Sequence, residues 1–325
     1  TGNAIQSFTI SDQIYSESVQ LLGRDHFLTE NRIFLEVLEF NFQQIIIGII
    51  LAALVGSVII GGIKRIGQVT SYLAPIMAVI YVFSSILVLI YHADKIGESF
   101  GLIFDGVFNP KATIIGAGGG AVMTMLNTML MGIKRGLYSN EAGQGSAAIA
   151  HSAAKTNFPV REGAVAMLGP YIDTIIICTL TGLVIISTGA WQHTEYFVSI
   201  SANSINEFNQ SISQNSFRGL ELINGSLLTS FAFKNGLSWI FSFGDKIITL
   251  SVLLFATSTA ISWSFYGDRA TEYLFGEKAI YWYRLVYIFF VFIGANASIE
   301  AVWAFGDAAL GFMTFPNLIS IVFLT

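Results

Sequence analysis

GIKRGLYSNEAGQGSAAIAHS, residues 132–152, is the stretch on which the reading of this chain turns. It follows about a membrane's width of uncharged sequence. Yet it sets Lys134, Arg135 and Glu141 among Gly136, Gly143, Gly145 and a run of small and hydroxyl residues. A soluble protein rarely places such a segment between long apolar runs. Inside a bilayer it has a use, because helix breaks and small residues let backbone line a wet cavity.

Outward from that stretch, the composition fixes the class. Charged residues make up 11% of the 325 residues, where a soluble domain carries about 25%. Hydrophobic residues are 54% and aromatic ones 14%, and the mean hydropathy is +0.66. Too little polar surface is available to cover a soluble globule, so the chain reads as an all-α polytopic membrane protein. The net charge of −5 says little about partners, because placement in loops matters more than the total. Cys178 is the single cysteine, which excludes an intrachain disulfide framework, and the four histidines lack ligand spacing. The chain has no initiator Met and no signal-peptide pattern, and Ala308–Thr325 is apolar to its last residue. We therefore expect a piece of a longer protein that begins inside one helix and ends at another.

Uncharged runs that approach the roughly twenty residues needed to span the hydrocarbon core are Phe40–Ile63, Ile66–Ala93, Ala112–Ile133, Ile247–Gly267 and Ala308–Thr325. Gly163–Trp191 encloses Asp173 and Ala279–Ile299 contains Arg284 near its start; both are still expected to span. Thr1–Leu22, with Asp12 and Glu17, reads as the inner part of one more span. Asp94–Lys111 reads as an amphipathic interfacial helix or the outer half of a broken span. Gln192–Asp245, rich in Ser and Asn, reads as a long loop with short helices lying over the membrane face.

Lys and Arg set the sidedness. Lys64 and Arg65, then Lys134, Arg135, Lys155 and Arg161, then Arg269, Lys278 and Arg284 crowd three connections that single crossings place on one face. Arg24, Arg32, Lys95, Lys111, Arg218, Lys234 and Lys246 are spread over far more residues on the other. The dense face is expected to be cytoplasmic, with the 192–245 loop outside.

No catalytic constellation is present: no His lies near a Ser or Cys in a plausible elbow, and no phosphate loop carries a Lys-Ser/Thr pair. The run GAGGG at Gly116–Gly120 follows no strand, so a nucleotide reading is weak. Close helix packing is the plain reading. A helix break is the sharper one, since each glycine lowers helix stability by about 1 kcal/mol relative to Ala and unwound backbone offers polar groups to a small zwitterion or cation. The segment FATSTAISW groups Thr257, Ser258, Thr259, Ser262 and Trp263. Hydroxyls in membrane helices often bond back to the preceding turn. Thr259 and Trp263, four apart, nevertheless share a face and border one small space, and Ser258 and Thr259 offer hard oxygens for Na⁺. Asp173 is an ionisable group within a span, a costly placement that marks either a functional residue or a structural acid bonded to nearby hydroxyls or helix ends. Gln6, with Asn3, Ser7 and Thr9, forms a polar patch, and Arg284 with Trp282 and Tyr283 reads as an interfacial anchor.

At KRGLYSNEAGQGSA, residues 134–147, followed by TNFPVREG at 156–163, the chain resembles the alanine or glycine:cation symporter family, the sodium:alanine symporters. Further stretches agree: GGIKRIGQVTSYLAPIMAVIY at 61–81, YIDTIIICTLTGLVIISTGAW at 171–191, FATSTAISWSFYGDRATEYLFG at 255–276 and VWAFGDAALGFMTFPNLI at 302–319. The resemblance covers nearly the whole chain outside Gln192–Asp245. It implies a leucine-transporter-type fold, two inverted five-helix repeats around a site near the midplane, of which this chain would supply about helices three to ten as one transport domain. It also implies substrate contacts at Gln6, at Gly118, Gly119 and Gly120, and at Thr259 and Trp263. Where relatives often carry Gly-Gly-Phe, this chain reads Gly118-Gly119-Gly120, which would remove one wall of the pocket. Lys134 and Arg135 then fall at the cytoplasmic end of helix six, so Asn140 and Glu141 belong to an inner gate rather than to the pocket.

The resulting expectation is sodium-coupled symport of a small neutral amino acid, alanine or glycine, by alternating access in a bacterial or archaeal inner membrane. The protein is expected to act as a monomer, with Na⁺ as coupling ion and no organic cofactor, catalytic residue or nucleic-acid partner. Proton coupling on the same fold and a passive channel are the alternatives. A membrane enzyme would need a reactive partner for Asp173 that the sequence does not supply.

Overall fold

The structure, a computed structural model, describes residues 2–22, 26, 28, 32–35, 38–40, 42–108, 121–141, 144–192 and 225–324. Apart from one short antiparallel pair, β1 (Arg32–Leu35) with β2 (Leu38–Phe40), its regular elements are helical. Among the described residues, six helical stretches are long and apolar enough to cross a membrane: Phe42–Ile59, Ile63–Tyr91, Pro159–Ser187, Gly244–Phe275, Glu277–Ala295 and Ala301–Phe323. They match the expected spans to within a few residues at most ends. The remaining expected span, Ala112–Ile133, appears only as its second half, because the helix described there begins at Ala121 and runs on to Asn140. The Gly116–Gly120 break lies outside the described residues.

The residues group into two compact units, Thr1–Ser84 with Thr188–Gly306, and Ser85–Ser187 with Asp307–Thr325. The first unit holds α1 (Gly2–Leu22), α2 (Phe42–Ile59), most of α3 (Ile63–Tyr91), α9 (Gly225–Gly236), α10 (Gly244–Phe275) and α11 (Glu277–Ala295). Gly62, at φ 76°, makes the tight left-handed turn from α2 into α3, a conformation that a side chain would resist. α1 packs along both α10 and α11, and α2 packs on α11. Small residues permit the approach: a Cβ on Gly294 would overlap Ala4 and Ser7, and one on Gly2 would overlap the Trp263 ring. This is the close backbone contact that holds membrane helices together where no hydrophobic drive separates helix from lipid. Ile10, Leu51, Val55, Ile59, Ile261 and Val291 form the centre of the buried cluster, while Val79, Phe83 and Phe289 face outward, as a bilayer-facing surface requires.

The second unit holds the end of α3, α4 (Ile96–Phe108), α5 (Ala121–Asn140), the short α6 (Ser146–His151), α7 (Pro159–Pro170), α8 (Thr179–Ser187) and the last part of α12 (Ile299–Leu324). Between α7 and α8 the helix widens to π geometry over Tyr171–Cys178. Pro170 immediately precedes it; a proline lacks the N–H and clashes with the turn before it, which favours a change of hydrogen-bond register there. The stretch between His92 and Phe108 is helical, a 3₁₀ turn at Ala93–Lys95 leading into α4, as the amphipathic pattern anticipates.

Candidate functional site

Sequence-identified residues gather at one place in each unit. In the first, α1 runs antiparallel to α10: Gly2 lies under Trp263, while Gln13 and Glu17 reach Thr249 and Lys246. Gln6 is one turn from Gly2 on the same face of α1, half-buried, and its amide makes no hydrogen bond among the described residues. Thr259 lies one turn before Trp263 on α10. Ser262 and Ser264 donate back to the carbonyls of Thr259 and Ile261 at 3.1 and 2.6 Å, the ordinary fate of a hydroxyl in a membrane helix. Thr257, Ser258 and Thr259 make no such bond among the described residues. Their hydroxyls stay available, although Ser258 is buried. Next to them, the Tyr287 hydroxyl donates to the Ala260 carbonyl at 2.6 Å and Asn3 donates to the Tyr287 carbonyl at 3.1 Å. Those two bonds tie α1, α10 and α11 together at the level of Thr259.

In the second unit, a cavity of about 510 Å³ is lined by Ser139, Glu141, His151, Asp173 and Asn317 together with alanines and glycines of α6 and α7. Glu141 and Asp173, separated by a long stretch of sequence, thus line one space. Asp173 stands on the π segment and accepts a hydrogen bond from the Ser139 hydroxyl, and Ser139 also lies 3.6 Å from Cys178. Glu141 follows the last residue of α5 with φ 53°, a left-handed conformation that costs a side-chain-bearing residue about 1–2 kcal/mol. Its carboxylate accepts from Ser146 at 2.6 Å, and Gln144 donates to the Leu137 carbonyl at 2.6 Å, so the strained turn is braced from both sides. Gly145, at φ 85°, sits against Asn317, leaving little room for a Cβ. His151 pairs with Glu162 at 2.6 Å across α6 and α7. Strain of this kind at a polar cavity is a pointer to function. Asn140 ends α5, its side chain outside the described residues, as are Gly118, Gly119 and Gly120.

Two features escape the sequence reading. Arg284 is not only an interfacial group: it grips Asp268, which is 1% exposed, through Nε at 3.2 Å to both carboxylate oxygens and Nη2 at 2.7 Å. Trp282 remains exposed and fits the anchor role. Ser139, His151 and Asn317 carry no mark in the sequence beyond their place in the quoted stretches. Their common cavity emerges only when α5, α6 and the π segment are packed.

The profile of the sodium:alanine symporter family matches residues 24–325, and so takes in Glu141, Asp173, Ser258, Thr259 and Trp263 but leaves α1 and Gln6 outside. An uncharacterized transporter of Haemophilus influenzae is 37% identical over 283 residues, 87% of this chain and 55% of its own length. The sodium/alanine symporter AgcS of Methanococcus maripaludis is 37% identical over 287 residues, 88% of this chain and 55% of its own. A sodium/proton-dependent alanine carrier protein of Bacillus sp. strain PS3 is 32% identical over 290 residues, 88% of this chain and 60% of its own. The chain therefore spans a little over half the length of these curated relatives. With its apolar spans and a match covering nearly all of its length, the chain belongs to the sodium:alanine symporter family, a family of multi-pass membrane transporters.

Proposed function

We propose that the protein of which this chain is part moves a small neutral amino acid, alanine or glycine, into the cytoplasm together with Na⁺. The observation that carries this reading is the set of uncommitted hydroxyls at Thr257–Thr259 beside Trp263, within a chain of the sodium:alanine symporter family. Ser258 and Thr259 supply hard oxygen for Na⁺. Gln6, Thr259 and Trp263 border the substrate, with Gly118, Gly119 and Gly120 as further contacts implied by the resemblance. The Glu141 turn, with Asn140, serves as the inner gate, and Asp173 fixes that gate through Ser139.

The fold we infer is the leucine-transporter type, a single transport domain acting as a monomer by alternating access. Supporting it, α1 and α2 pair with α10 and α11 as two antiparallel couples within one unit, the arrangement an inverted repeat generates. Proton coupling is the second reading; it has the sodium/proton-dependent name of the Bacillus relative and the acids of the Glu141 cavity in its favour. Uptake of labelled alanine and glycine by the full-length protein in vesicles, with Na⁺ and pH gradients varied separately, tests both. Accumulation that needs a Na⁺ gradient at constant pH supports the sodium reading, and accumulation driven by a pH gradient without Na⁺ supports proton coupling. Flux that follows only the amino acid's own gradient would sink the symporter reading in favour of a passive channel.

A further inference from the structure

Away from the Thr259 region, at the opposite end of α10 from Arg269, α1, α9 and α10 enclose a polar cluster that neither the family nor the transport reading assigns. Gln13, 1% exposed, donates from Nε2 to Thr249 Oγ1 at 3.0 Å and to Ser230 Oγ at 3.5 Å. The Thr249 hydroxyl donates to Glu17 Oε1 at 2.6 Å, and the Ser230 hydroxyl donates to the Asp245 carbonyl at 3.2 Å. Each hydroxyl has a single hydrogen, already committed to an oxygen that can only accept. The Gln13 amide must therefore present its NH₂ to both hydroxyls, and its orientation is fixed by the network. Its Oε1 is left buried with no donor among the described residues. The same is true of Oδ1 of Asp245, which is 7% exposed.

The charges tell the same story. Lys246 bridges Glu17 and Asp245, at 3.3 Å from the latter, so among the described residues two carboxylates face one ammonium and the cluster is one positive charge short. Two buried acceptor oxygens without donors, beside an uncompensated carboxylate, are costly unless a cation or donor meets them. All the free ligating atoms are oxygens, amide and carboxylate, the set that suits a hard cation.

We propose that Gln13 Oε1 and Asp245 Oδ1 form a binding site for a monovalent hard cation, Na⁺, distinct from the one at Ser258 and Thr259. Gln13 is seven residues beyond Gln6 on the same side of α1, about 10 Å along the axis. The site therefore lies toward the face we expect to be external, where a cation would be captured before it reaches the substrate site. Lys246, whose side chain is 47% exposed, is a tethered competitor at its mouth.

The inference rests on the transport reading only for the choice of probe. The test is equilibrium binding of radiolabelled Na⁺ to the full-length protein, in a background carrying Ser258→Ala and Thr259→Val to remove the other proposed site. The background is expected to retain Na⁺ binding that Gln13→Leu and the nearly isosteric Asp245→Asn each weaken roughly tenfold or more, the loss of one charge-assisted ligand. Lys246→Gln is expected to tighten it, a change that loss of packing would not produce. Thermal unfolding of each variant identifies any that fails to fold, and the three substitutions stand in for one another. If the background binds no Na⁺ while the parent does, this inference falls and the transport reading stands. If the background binds but neither Gln13→Leu nor Asp245→Asn changes it, the site is elsewhere and the inference also falls. A parent that binds no Na⁺ removes both.

Discussion

Asp268 and Arg284 illustrate what a single pair does at the inner end of α10. Arg284 is 17% exposed and Asp268 1%, so neither charge is well hydrated and removing one strands the other. Arg284→Ala is expected to cost about 3–5 kcal/mol, whereas Asp268→Leu with Arg284→Met should recover most of that loss; thermal unfolding in detergent measures both. Thr259→Val and Trp263→Ala act on transport instead. Each should raise the apparent KM for alanine roughly tenfold, Thr259→Val with stability nearly unchanged and Trp263→Ala with a lowered unfolding midpoint as well, because its ring packs on Gly2. Normal uptake by both would move the pocket elsewhere. At Glu141 the signs oppose. Glu141→Gly relieves a left-handed strain of about 1–2 kcal/mol but loses the Ser146 bond to the carboxylate, which is of similar worth, so the variant should unfold close to the parent and transport more slowly. These residues differ in how far the sequence reveals them. Thr259 and Trp263 are visible because four-residue spacing fixes a shared face. Arg284 reads as an anchor because its partner lies across a turn, on another helix.

Among the elements, the apolar spans are legible from composition because a helix surrounded by lipid and by other helices is apolar on every side. What composition does not carry is register. The π segment Tyr171–Cys178 has the same hydropathy as an α-helix would, and only Pro170 hints at it. Its widened turn sets where Asp173 points, and so whether that acid meets Ser139. Pro170→Ala restores an N–H and lifts a helix penalty of about 3 kcal/mol, which should draw the segment toward α geometry. The expected outcome is an unfolding midpoint equal to or above the parent's, with alanine uptake reduced. Unchanged uptake would mean that the π register serves packing alone. The cluster of Gln13, Ser230 and Asp245 is the other case. α9 lies within the stretch expected to be a loop with short helices, and no pattern in Ser-rich sequence announces that one of its hydroxyls will meet α1.

For the molecule as a whole, the boundaries of the two units are informative about the chain alone. Of the three, one falls at the end of α8, between Ser187 and Thr188, one inside α3, between Ser84 and Ser85, and one inside α12, between Gly306 and Asp307. α3 and α12 each follow two consecutive helices of the first unit, α1 and α2 before the one and α10 and α11 before the other, and each contains an internal proline, Pro75 and Pro316. A repeated three-helix block, which the proposed fold requires, would produce that correspondence. If the repeats are inverted, the ends of α10 must open on opposite sides of the membrane, with the crowded cations Arg269 and Lys278 inside by the positive-inside rule. Ser238, before α10, and Glu277, after it, are both exposed, and replacing every cysteine of the full-length protein by serine, Cys178 included, gives a silent background. A membrane-impermeant maleimide applied to intact cells is then expected to label Ser238→Cys and to spare Glu277→Cys until the membrane is opened. The reverse pattern would overturn the sidedness and place the Gln13–Asp245 site on the cytoplasmic face. Labelling of both from outside would mean that α10 does not cross the bilayer, and with it the inverted-repeat reading would fail.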